Sequence, residues 1–156
     1  MPLDLQLQLA LRLLLALGIG LVIGIEREIR GRDAGIRTMA MVGAGSCLFT
    51  SAGLFFPGNH IVDPTRIAAQ VVTGIGFLGA GAIFRTEDRV KGLTTAATVW
   101  VVAALGMAVG FGAYVLAVVG ALIVMLGLIG VRPLEDRLFK SDVALLRRRS
   151  DRDETG

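Results

Sequence analysis

Apolar residues in this chain come in long blocks rather than in alternating or heptad patterns. Between residues 92 and 131 no side chain carries a charge. A helix needs about 20 apolar residues to cross a bilayer. This block is therefore long enough for two crossings, with a turn at Gly110-Phe111-Gly112. Three shorter blocks precede it. The pattern predicts five spans, at about residues 5–25, 38–56, 67–84, 93–109 and 113–131. The expected fold class is all-α, a five-helix transmembrane bundle over residues 1–131 followed by a basic cytoplasmic tail over residues 132–156.

Composition agrees with that pattern. Of the 156 residues 54% are hydrophobic, and the mean hydropathy of +0.70 is high for a water-soluble domain of this length. The 21 glycines run through the apolar blocks, where small residues let membrane helices approach closely. The start, Met1-Pro2-Leu3-Asp4, has an acid where a cleaved signal carries positive charge, and the apolar run behind it is long for such a signal.

Charge sets the orientation. Arg27, Arg30, Arg32 and Arg37 lie between the first and second spans, and Arg85, Arg89 and Lys91 between the third and fourth. The tail carries seven more, including Arg147-Arg148-Arg149, which leaves only Arg12 and Arg66 elsewhere. Basic loops stay in the cytoplasm, so the N-terminus is expected outside and the C-terminus inside. An odd number of spans agrees. The pI near 9.7 comes from these loops and not from a nucleic-acid surface, and no nucleic-acid partner is expected. Arg12, inside the first span, is expected to snorkel outward to headgroups. In the tail, Leu134, Leu138, Val143, Leu145 and Leu146 among the charges suggest a short interfacial helix drawn to anionic lipid.

Two segments recur. Gly18-Ile19-Gly20-Leu21-Val22 matches Gly74-Ile75-Gly76-Phe77-Leu78 at an offset of 56 residues, and Gly35-Ile36-Arg37-Thr38-Met39-Ala40 matches Gly92-Leu93-Thr94-Thr95-Ala96-Ala97 at an offset of 57. Two helical hairpins of like orientation, a parallel internal repeat, are the expected reading. Two helix starts, near Thr38 and Thr95, then face each other beside Arg37 and Lys91. Helix starts carry free N–H groups and partial positive charge, which suits an anion. Thr94 or Thr95 serves equally as a simple N-cap.

Other candidate positions are polar residues near or within the spans. Glu26 and Glu28 could hold magnesium through carboxylate oxygens, or pair with the neighbouring arginines, Glu26 with Arg30 at i,i+4. Gly20, Gly24 and Glu28 form a stripe that leads to an acid. In the third span Gln70 and Thr73 could bind a solute or a neighbouring helix. Its Gly74-x-Gly76-x-x-Gly79 lacks the strand–turn–helix context of a dinucleotide site, and close helix packing is expected there. Trp100 is expected to bury against those glycines. Gly106 and Gly110 form a packing pair, within the chain or between subunits. Asp63 before Pro64 suits a turn or cap, and with His60 could draw cations to an outer entrance. Cys47 is expected to be a small packing residue. One histidine and one cysteine, with no nucleophile–base pair, argue against an enzyme.

Several separated motifs resemble the MgtC/SapB membrane family. They are Glu26-Arg27-Glu28, Gly35-Ile36-Arg37-Thr38, the run from Asp63-Pro64-Thr65-Arg66 through Gln70 and Thr73-Gly74-Ile75-Gly76 to Ile83, and Val90-Lys91-Gly92-Leu93-Thr94-Thr95 through Trp100. The resemblance covers residues 8–131. It implies a multi-pass protein of the bacterial inner membrane, linked to growth in low magnesium and, in pathogens, to survival in host cells, with Mg2+ as the implied ion. Many members carry a cytoplasmic C-terminal domain, for which residues 132–156 are too short. Two functions follow as expectations. One is ion or small-solute transport tied to magnesium homeostasis, favoured by the many polar positions in so small a bundle. The other is a non-transporting regulator that docks on another membrane protein. A homo-oligomer such as a dimer fits either.

Overall fold

The computed structural model describes residues 2–54, 63–86 and 89–130. The chain divides into two compact units, Met1–Ala121 and Leu122–Gly156. The elements are α1 (Leu3–Ile29), α2 (Ile36–Leu54), α3 (Pro64–Gly81), the two-residue strands β1 (Phe84–Arg85) and β2 (Val90–Lys91), and α4 (Leu93–Gly110). A fifth helix, α5, covers Tyr114–Gly130. In the second unit the described residues, 122–130, are the last turns of α5. His60 and the basic tail lie outside the described residues.

All five helices occur where the apolar blocks predict them. By length and hydropathy α1 and α4 are apolar enough to cross a bilayer, and α5 is a shorter apolar helix. Leu7, Leu11 and Leu14 of α1, Phe77 of α3, and Val115 and Leu116 of α5 are all more than half exposed. An apolar surface this extensive suits lipid rather than water.

The core of the first unit is α1, α2 and α4, and glycines set its spacing. A Cβ on Gly20 would strike the backbone of Met39 and Ala40, and one on Gly24 the backbone of Ile36. On the other side of α2, a Cβ on Gly106 would strike the Gly43 backbone, and one on Gly110 the Thr50 side chain and Cys47 carbonyl. These pairings give directions. Along α1 and α2 residue numbers run oppositely, 20 with 39 and 24 with 36. Along α2 and α4 they rise together, 43 with 106 and 50 with 110. The Gly106 and Gly110 pair is thus spent inside the chain. Of the two expected arrangements, within the chain or between subunits, these two glycines take the first, because no side chain from another molecule fits where two backbones already touch.

The polar residues of this core are satisfied locally. Thr50 Oγ1 donates to the Ser46 carbonyl at 2.8 Å and Thr98 Oγ1 to the Thr94 carbonyl at 2.7 Å. Cys47 is buried beside Ser51, as a packing residue would be.

Helix α3 packs more loosely. Nothing lies within 4 Å of a Cβ built on Gly74, Gly76 or Gly81, and only Gly79 approaches α4, with its virtual Cβ 3.7 Å from Ala96 Cβ. Close packing of this helix through its glycines, expected from sequence, is therefore confined to Gly79. Trp100 is 50% exposed and does not bury against them. The α3 N-terminus is capped by Asp63, whose carboxylate accepts from the Thr65 N–H at 2.9 Å and hydroxyl at 2.7 Å. Pro64 follows at the first helical position, which needs no N–H donor.

Between α3 and α4 a small antiparallel hairpin pairs Phe84 with Lys91 and Arg85 with Val90. Thr86 closes its turn, its N–H and hydroxyl both donating to the Arg89 carbonyl at 2.9 and 3.0 Å. The chain then enters α4 through Gly92 at φ +90°, pressed against the Ala82 carbonyl at the end of α3. Only glycine fits both the left-handed backbone and that approach.

The two hairpins proposed as repeats differ in detail. Gly20 of the first touches the α2 backbone, whereas its counterpart Gly76 faces open space. Thr38 is exposed, whereas its counterpart Thr95 is buried.

Candidate functional site

The α1 C-terminus, the α2 and α4 N-termini and the β1–β2 hairpin meet at one end of the first unit. This end collects Arg27, Arg30, Arg32, Arg37, Arg85, Arg89 and Lys91. Of the eight candidate residues, six belong here: Glu26, Glu28, Arg37, Thr38, Thr94 and Thr95. Gln70 and Thr73 do not. Gln70 sits in the second turn of α3, about 17 Å along the axis from the basic end.

The two carboxylates have separate tasks. Glu26 is nearly buried and pairs with Arg30 at 2.5 Å, an i,i+4 ion pair. Glu28 Oε2 accepts the Ile36 N–H at 3.0 Å and so caps α2 from the end of α1. The Gly20, Gly24 and Glu28 stripe therefore faces α2 along its whole length: two glycines bring the helices together, and the acid below them closes the partner's first turn. Among the described residues no three His, Cys, Asp or Glu side chains gather to hold a metal.

The centre of this end is Arg27, which sequence reasoning passed over as one charge of an alternating run. It is 1% exposed, the largest fully buried side chain among the described residues. Its Nη2 donates to the Asp33 carbonyl at 2.7 Å and to the Thr95 hydroxyl. Its Nε is buried with no partner among the described residues. An arginine so placed stays charged, because the delocalised guanidinium holds its proton far more tightly than any other side chain. One buried cation thus ties the end of α1 to the loop before α2 and to the first turn of α4. The available signal was its place in register: Ala16, Ile19, Gly20, Ile23 and Arg27 continue one buried face of α1.

Neither threonine of α4 is a cap. The N-cap is Gly92, without a side-chain hydrogen bond, which puts Thr94 and Thr95 inside the first turn. Thr95 points inward to Arg27, while Thr94, Arg37 and Thr38 are exposed. Arg37 and Lys91 remain at the rim of the basic end.

At the opposite end, Arg12 joins three helices. Its Nε donates to the Tyr114 hydroxyl at 2.8 Å and its Nη1 to the Gly110 carbonyl at 2.9 Å, with the guanidinium 5.7 Å from the Tyr114 ring centre. The positive side chain sits at the α4 C-terminus, where the helix dipole favours it. It is held by protein groups rather than snorkelling free.

Between α2 and α3 lies a groove of about 620 Å3, lined chiefly by apolar side chains with Gln70 and Arg66 toward the α3 N-terminus. Thr73 is absent from its lining and donates to its own Ala69 carbonyl at 2.9 Å. The eight candidates therefore do not line one cavity.

Residues 13–137 match the model of the MgtC family. The chain is 43% identical over 129 residues to the Escherichia coli K12 protein named "Putative magnesium transporter YhiD", which covers 79% of this chain and 60% of that relative. It is 36% identical over 145 residues to Protein SapB of Bacillus subtilis 168, covering 85% of this chain and 62% of SapB. It is 48% identical over 91 residues to Protein MgtC of Brucella suis biovar 1, covering 58% of this chain and 37% of that protein. The chain thus spans less than two thirds of the length of these relatives. No solved structure matches it. With a family model matched over most of the chain and identities of 36–48% to YhiD, SapB and MgtC, this chain belongs to the MgtC family.

Proposed function

We propose that this chain is the membrane-spanning part of a multi-pass protein of the bacterial inner membrane that serves magnesium homeostasis without conducting the ion itself. The link to magnesium rests on the name of the YhiD relative. The basic end lies in the cytoplasm, as the arginine-rich loops favour. The observation that carries the non-conducting reading is the packing of α1, α2 and α4. Gly20, Gly24, Gly106 and Gly110 bring backbones into contact on both faces of α2, and the Thr50 and Thr98 hydroxyls are occupied by carbonyls of their own helices. This leaves no polar passage through the described core.

The acting surface is the exposed rim of the basic end, with Arg37, Thr38, Lys91 and Thr94 around the buried Arg27. Such a rim suits an acidic segment of another membrane complex or an anionic group. Magnesium at Glu26 or Glu28 would be held through water, because one carboxylate is paired and the other caps α2.

A second reading is transport through an assembly of chains. The exposed face of α3, with Thr73, Gly76 and Phe77, favours it. Proteoliposomes separate the two. The first reading expects no magnesium, potassium or proton flux above empty vesicles, together with co-purification of a specific membrane complex that is lost on Arg37→Glu or Lys91→Glu. Flux that saturates with magnesium concentration supports transport and overturns the first reading.

A further inference from the structure

The groove between α2 and α3 has an order of chemistry along its length. At the α3 N-terminus stands Arg66, exposed and without an ion-pair partner among the described residues. The nearby Asp63 carboxylate accepts from Thr65 and feels the Arg66 charge without forming an ion pair with it. One helical turn deeper is Gln70, whose amide has no hydrogen-bond partner among the described residues. Beyond Gln70 the walls are apolar as far as Leu78 except for Ser46 on α2. An amide left unpaired in hydrocarbon is costly, so a ligand group that accepts from it is favoured there.

A cation, then a hydrogen-bond donor, then an apolar trough is the complement of a glycerophospholipid read from phosphate to ester carbonyl to acyl chain. The length agrees. From Arg66 to Leu78 the helix rises about 18 Å, close to the roughly 15 Å depth of one leaflet of a 30 Å hydrocarbon core. A helix of another chain is a poorer fit. Its backbone carbonyls are already paired within the helix and offer Gln70 no acceptor. We propose that this groove seats one acyl chain of an anionic phospholipid, with Arg66 on its phosphate and Gln70 on its ester carbonyl. The proposal rests on the membrane reading above, with Arg66 at the outer leaflet, but not on whether the protein conducts.

The test is native mass spectrometry of the purified full chain, delipidated in detergent and supplied with phosphatidylglycerol or with phosphatidylcholine of the same acyl chains. The expected result is one retained phosphatidylglycerol per chain, with weaker retention of phosphatidylcholine. Arg66→Gln should weaken phosphatidylglycerol retention about tenfold, since a charge-assisted contact is lost, and should bring the two lipids close together. Gly74→Leu should weaken both lipids, because its new side chain enters open groove space and displaces the chain. A thermal transition like the parent's certifies each variant as folded. Retention equal to the parent in both folded variants overturns the proposal, as does a cross-link between copies through cysteines placed in the groove at positions 71 and 74. A protein that stays dispersed without detergent overturns the membrane reading itself, a result distinct from equal retention in detergent.

Discussion

Arg27 and Thr95, 68 positions apart, are joined by a buried hydrogen bond from guanidinium to hydroxyl. This contact fastens the end of α1 to the beginning of α4, and the Asp33 carbonyl on the same guanidinium nitrogen adds the connecting loop. Truncation to Arg27→Ala removes both contacts and leaves a cavity, so it should cost about 2–5 kcal/mol. Arg27→Met fills similar space but still loses both contacts, so it should recover only the cavity part of that cost and remain about 1–2 kcal/mol below the parent. Thermal unfolding in detergent checks both. If Arg27→Met keeps its fold but loses co-purification of the membrane complex, the guanidinium itself serves function.

Gly106→Leu should prevent folding or destabilise the protein by about 3 kcal/mol or more, since the new side chain meets the Gly43 backbone. It cannot serve as a clean probe of partner docking. Gly76→Leu, placed where nothing lies within 4 Å, should be tolerated. Monodispersity on size exclusion and the thermal transition compare the pair.

Glu28→Ala should cost about 1 kcal/mol by uncapping the Ile36 N–H. Glu28→Gln should recover part of this, because its carbonyl still accepts the bond. A metal-ligand role would give a different signature: weaker magnesium binding, with the stability loss of the alanine variant deepened by added magnesium. Thermal shifts with and without magnesium distinguish the two.

The α3 cap should respond to acid. The Thr65 hydroxyl and N–H hold the Asp63 carboxyl below its ordinary value. A carboxyl with a depressed folded-state pKa contributes stability above its unfolded pKa, near 3.9. That contribution is lost as pH falls through the lower folded value. Hydrogen exchange in the first turn of α3 should therefore be protected at pH 5 beyond its intrinsic rate and lose that excess below about pH 4. Asp63→Asn should abolish the pH dependence.

The helices were legible because crossing a bilayer imposes length and apolarity on each segment by itself. Asp63 before Pro64 gave the α3 cap, and the Glu26–Arg30 spacing gave the ion pair, since both are local rules. What sequence did not reveal depends on which face meets which neighbour. Gly106 and Gly110 could pack inside or between chains until the Gly43 backbone was seen against them. Glycines in α3 carry the same letters as those in α1, yet those at 74, 76 and 81 touch nothing. A mid-span position suggests burial for Trp100, but half of it is exposed. Arg27 was overlooked because its partner lies 68 residues away. The short hairpin at residues 84–91 has too few strand residues to leave a periodicity.

The most direct test of the account is accessibility labelling of single cysteines in a Cys47→Ala background. Thr86→Cys and Arg89→Cys stand at the basic end, and Asp63→Cys at the opposite end. In intact cells a membrane-impermeant thiol reagent should label position 63 and spare 86 and 89 until the membrane is opened. Labelling of 86 or 89 from outside, or of all three alike, would contradict a bundle that keeps its arginine-rich end in the cytoplasm.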